Sequence, residues 1–78
     1  MESNKLHTMA LAIEGAFAGF GFLRYKKHGD AYHILFDDYH TIENAINMVE
    51  ALDKSIKIYD RDFVESYGAY CAVLEHKR

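Results

Sequence analysis

Residues 29–40 read GDAYHILFDDYH, and His28 comes just before them. Two histidines and three aspartates in twelve positions are side chains that bind metals or carry protons. For a metal, His33, Asp37, Asp38 and His40 would have to converge within about 2–2.5 Å of one ion. Positions 33, 35 and 37 share one face of a strand, which lets His33 and Asp37 approach each other. His40 lies beyond a turn, and no recognised ligand spacing is matched. Asp37 and Asp38 already have a role as turn and capping residues. We therefore assign no metal ligand, and a His/Asp metal-binding domain stays as a second alternative.

Nucleophilic chemistry finds no better footing. Cys71 paired with His33 or His76 would make a thiol–imidazole couple, but Cys71 sits in an alternating strand, where it reads as a small core residue. Ser3, Ser55 and Ser66 fall at caps or turns. Nothing resembles a phosphate loop or a nucleophile elbow. The expectation is no enzyme, no catalytic residue and no cofactor.

The elements holding these residues must fit into 78 positions, which means one domain, 1–78. Half the residues are apolar, and five Phe and six Tyr can fill a compact core. The lone Cys71 excludes an internal disulfide and fits a reducing, cytoplasmic setting. The apolar stretch Met9–Leu23 is interrupted by Glu14 and is too short for a bilayer. Glu2 and Glu14 argue against a signal peptide around Ala16-Phe17-Ala18. Net charge is −3 but uneven: +2 over residues 1–29, −6 over 30–65 and +1 over 66–78. The middle block repels a phosphate backbone unless it faces elsewhere.

Leu6, Met9/Ala10, Ile13, Ala16/Phe17 and Phe20 recur at helical spacing, with Ser3 or Asn4 to cap the start and Gly19 or Gly21 to stop it. Gly15 and Gly19, four apart, offer a face for close approach to the sheet. Phe22–Lys26 and Ala31–Phe36 read as strands around Lys27-His28-Gly29-Asp30. Symmetric closure sets Tyr25 opposite Tyr32 and Leu23 opposite Ile34. A core face then carries Leu23, Tyr25, Tyr32, Ile34 and Phe36, and the other face Phe22, Arg24, Lys26, Ala31, His33 and Leu35. A second helix spans Thr41–Leu52 through Ile42, Ala45, Ile46, Val49 and Leu52, capped by Asp37, Asp38 or Thr41. Ile56 and Ile58 begin a strand. Residues 62–75 suit a hairpin turning at Ser66–Gly68, or a helix. The hairpin is preferred because Gly68 weakens a helix centre. The fold class is α+β: α-β-β-α-β-β, a four-stranded antiparallel sheet with two helices on one face.

IEGAFAGFGFL (Ile13–Leu23) resembles the first helix and following strand of RNA recognition motif domains. AYHILFDDYHTIENAI (Ala31–Ile46) is similar to that family's central strand and second helix, and IYDRDFV (Ile58–Val64) to the start of its last strand, with Asp60 where Gly is usual. The family begins with a strand that is missing here. AYCAVL, residues 69–74, resembles it at the other end of the chain. The resemblance thus implies a circularly permuted ferredoxin-like fold. It places Ala31, His33 and Tyr70 at the family's base-stacking positions, a poor platform for bases.

From these readings we expect a non-catalytic module that binds a protein through one sheet face carrying Phe22, Arg24, Lys26, His33, Leu35 and Tyr70. By class analogy it suits a stoichiometric inhibitor of the anti-CRISPR or anti-restriction kind made by phages. The alternative is single-stranded RNA binding by the same face and the Lys26/Lys27 tip. Homodimerisation through Phe22, Leu35 and Tyr70 stays open. No membrane role is expected.

Overall fold

The computed structural model describes residues 2–77, with side chains from Lys5 onward. The chain runs α1 (Glu2–Phe17), β1 (Phe22–His28), β2 (Ala31–Phe36), α2 (Tyr39–Leu52), β3 (Ile56–Val64) and β4 (Ala69–His76). The four strands form one antiparallel sheet in the order β1-β2-β4-β3. Joining the end of β4 to the start of α1 would give β-α-β-β-α-β with the strand order of a ferredoxin-like sheet. The permuted α+β arrangement read from the sequence is therefore the observed one. No described helix is long and apolar enough to cross a membrane.

Period-two alternation sets the core. Tyr32, Ile34 and Phe36 point under the helices, where they meet Leu6, Met9, Ala10 and Ile13 of α1 and Ile42, Ala45 and Val49 of α2. Ile56, Ile58, Ala72 and Leu74 complete this layer. The α1 stripe ends earlier than its spacing suggests. Gly19, at φ 81°, turns the chain out of the helix, and Phe20 is left 74% exposed. Ala16 and Leu52 are also exposed. Gly15 makes no close approach, since a Cβ there would meet nothing within 4 Å.

Gly21 is the glycine that packing demands. Its φ is 112°, and an added Cβ would collide with the Thr41 hydroxyl and the Asp38 carboxylate. Asp38 caps α2 by accepting the Thr41 amide at 2.8 Å. The buried Thr41 hydroxyl lies 2.9 Å from the Phe20 carbonyl, and the Asp37 amide donates to the Gly21 carbonyl at 2.8 Å. The start of α2 is thereby locked to the loop between α1 and β1. At the far end, Lys5 of α1 reaches Asp53 at 3.3 Å and Ser55 at 2.8 Å.

Both hairpins depart from simple alternation. β1 and β2 turn on Gly29-Asp30, so Lys27 and His28 stay in the strand and Tyr25 pairs with Ile34. The register is two residues from symmetric closure, which preserves which face each β2 side chain takes. A bulge between Phe22 and Arg24 then changes the faces at the start of β1. Leu23 is 45% exposed, and Phe22 turns inward to meet Phe36 edge-to-face at 6.1 Å between ring centroids. Residues 62–75 form the hairpin rather than a helix, with a second bulge between Asp60 and Asp62 and Asp62 at φ 65°.

Candidate functional site

The six residues expected on one contact face do not share it. Arg24 and Lys26 are exposed on the sheet side away from the helices, paired with Leu35 and His33. Leu35 faces that side too but is fully buried, packed with Ala69, Cys71, Val64 and Tyr67 in a small second cluster. His33 is 5% exposed. Phe22 and Tyr70 lie on the helix side, half-buried against the main core. Tyr70 pairs with Phe36, so its inward placement follows from the same alternation that buries Phe36. The proposed patch of Phe22, Leu35 and Tyr70 does not exist as one exposed surface. Tyr70 also faces away from Ala31 and His33, so the three base-stacking positions of the RNA recognition motif resemblance are divided between two faces.

Tyr67 accounts for the unexpected burial on the open face. It stands at the β3–β4 turn, and its ring leans back over the sheet. Its hydroxyl meets His33 Nδ1 at 2.6 Å, and the Lys26 ammonium lies 5.3 Å from its ring centroid. His28 stacks on His33 with centroids 4.5 Å apart. Burial lowers the His33 pKa, and the charges of His28, Arg61 and Lys26 lower it further. Cationic side chains thus stand around a closed centre on the open face.

The metal constellation does not assemble either. His33 is held by Tyr67, Asp38 is engaged in capping, and exposed His40 faces Glu43 at 3.7 Å. Among the described residues, no three His, Cys, Asp or Glu side chains gather as an ion site. Cys71 is fully buried, and that burial raises its thiol pKa.

A surface missed in the sequence stands on the helix side, where α2 begins beside the end of β3. Phe63 is 52% exposed and Tyr39 45% exposed. Both rings touch Tyr70, edge-to-face, at centroid distances of 5.3 Å and 6.5 Å. Asp60, half-buried, pairs with Ala72 and so faces the helix side with Tyr70, and Glu43 stands one turn along α2 from Tyr39. Their negative charges, Asp60 first, raise the Tyr39 pKa. Arg61 alternates the other way, towards His33 and Cys71, and the bulge then brings Phe63 rather than Asp62 to the helix side. The signal available in the sequence was Phe63 itself, a large ring in the charged stretch YDRDFV.

No family model matches the chain, and no curated protein or solved structure matches it.

Proposed function

We propose that this domain is a non-catalytic binding module whose partner is a protein, seated on the Tyr39–Phe63–Tyr70 surface. The observation that carries this reading is a pair of about half-exposed rings, Tyr39 and Phe63, that each meet Tyr70 on a small domain. Water-exposed rings gain most when a partner covers them, and Tyr is among the residues that dominate interface energetics. Tyr70 keeps the role given to it in the sequence, but on the opposite side of the sheet. Arg24 and Lys26 fall outside the interface. Such a module acts by occupying a partner's surface, as a stoichiometric inhibitor does. The single buried thiol of Cys71 is in keeping with a cytoplasmic home.

Affinity capture from the native host tests the proposal. The wild-type chain retains its partner, and a Tyr39→Ala/Phe63→Ala variant of intact fold loses it. Retention of the same partner by that variant contradicts the assignment.

A second reading, single-stranded RNA on the open face, draws on the cationic set Arg24, Lys26, His28 and Arg61 around His33. It requires salt-sensitive binding to mixed RNA pools in fluorescence anisotropy. A flat titration at low salt removes it.

A further inference from the structure

Resting on the protein-partner reading above, we propose that the Tyr39–Phe63–Tyr70 surface receives a basic segment of that partner. An arginine or lysine side chain then lies against the rings and between the Asp60 and Glu43 carboxylates.

Asp60 and Glu43 put two carboxylates beside the rings. Asp60 uses its carboxylate locally, accepting the Asp62 amide at 2.6 Å, and forms no ion pair among the described residues. Glu43 meets the His40 imidazole at 3.7 Å, and both side chains are largely in solvent. Asp62 pairs with Cys71 and so belongs to the other face. Arg61, next to Asp60 along β3, alternates to the opposite face, towards His33 and Cys71. The rings therefore sit in the field of two carboxylates that no lysine or arginine of the described residues bridges. An anionic partner would be repelled by that field, and a purely apolar one would strip water from Asp60 without replacing it. A cationic side chain satisfies both components, since the negative faces of aromatic rings and the carboxylates attract the same charge. An arginine has the further advantage of a planar group that stacks on a ring while its edge donates to a carboxylate.

Titration of the full chain, followed by amide NMR, tests this. The probes are a capped Gly-Arg-Gly-Arg-Gly peptide, its lysine analogue and its glutamate analogue, at low salt. The expected result is shifts clustered at residues 39–43, 60–63 and 70, with arginine binding tighter than lysine and glutamate inert. Asp60→Asn with Glu43→Gln should weaken the arginine peptide by roughly threefold to fivefold. The Asp60→Asn side chain retains a carbonyl oxygen to accept the Asp62 amide, so this variant keeps the local turn. Phe63→Ala should weaken binding by a similar factor.

Unmoved amides, shifts centred on Arg24 and Lys26, or equal response to the glutamate peptide overturn the inference. So does concentration-dependent shifting without peptide, which would mean that the chain's own Lys26–His28 tip fills the surface. The two readings fail separately. If the captured host partner is lost with Phe63→Ala but kept with Asp60→Asn/Glu43→Gln, the interface stands and its basic ligand is wrong. If Phe63→Ala retains the partner, both are wrong.

Discussion

The Tyr67 hydroxyl lies 2.6 Å from His33 Nδ1, joining the tip of the β3–β4 hairpin to the middle of β2. This bond closes the open sheet face over Leu35 and Cys71, which would otherwise be its exposed apolar centre. Removing the hydroxyl with Tyr67→Phe leaves a buried imidazole nitrogen without its partner. The expected cost is about 1 kcal/mol, read as a lower urea midpoint with an unchanged slope. A variant as stable as the wild type would show that the bond holds nothing.

The same imidazole makes stability depend on pH. His33 has a lowered pKa in the folded chain, so between that value and the ordinary value of about 6.5 the unfolded chain binds more protons. Stability therefore rises with pH through this interval. It is complete above about 6.5 and falls as the solution is acidified below it. Asp38 and Asp53 act in a more acidic window. Hydrogen bonds from Thr41 lower the pKa of the first, and hydrogen bonds from Ser55 that of the second. Each contributes stability above the ordinary carboxylate value that is lost as pH drops through the folded one. Histidine ring NMR checks the first statement, with His33 as a resonance titrating below the ordinary value. Titration above that value would contradict it.

The joint between the loop and α2 should be sensitive out of proportion to its size. Asp38→Ala removes the cap and should lower the melting midpoint by about 4–8 °C. Gly21→Ala meets both a positive φ and the Thr41 and Asp38 side chains, and should cost at least about 1–3 kcal/mol. Thermal or urea denaturation measures both. The two effects should fall short of additive, because Asp38→Ala also removes one of the groups with which a methyl at position 21 collides.

Much of the fold was legible because Tyr32, Ile34 and Phe36 alternate without interruption, and a register slip of two residues leaves their faces unchanged. Their inward direction also survives the tighter turn, since Lys27 and His28 merely lengthen β1. The aromatic surface proposed for contact was illegible for a different reason. Bulges at Leu23 and at Arg61 each insert one residue and reverse the parity of what lies beyond, and nothing in FLRYKKH or IYDRDFV announces them. Tyr70 was within reach of the pattern alone. Tyr70, Ala72 and Leu74 alternate together, and pairing with Phe36 places all three inside. The family resemblance points it to the other face. The closing of Leu35 by Tyr67 depends on a turn side chain folding back, which no local period records.

The aromatic surface should also respond to its own electrostatics. Tyr39 carries a raised pKa because of Asp60 and Glu43, so Asp60→Asn should bring it down towards the ordinary phenol value. Ultraviolet titration of the phenols, comparing variant with wild type, detects the change. An unaltered Tyr39 titration would mean that Asp60 does not border the ring.

The assignment of the interface is tested most directly by hydrogen exchange on the domain with its captured partner bound. Slowed exchange should concentrate at residues 39–43 and 60–70, with Arg24 to His28 exchanging as in the free chain. Protection confined to Arg24–His28, with residues 39–43 and 60–70 unchanged, would contradict it.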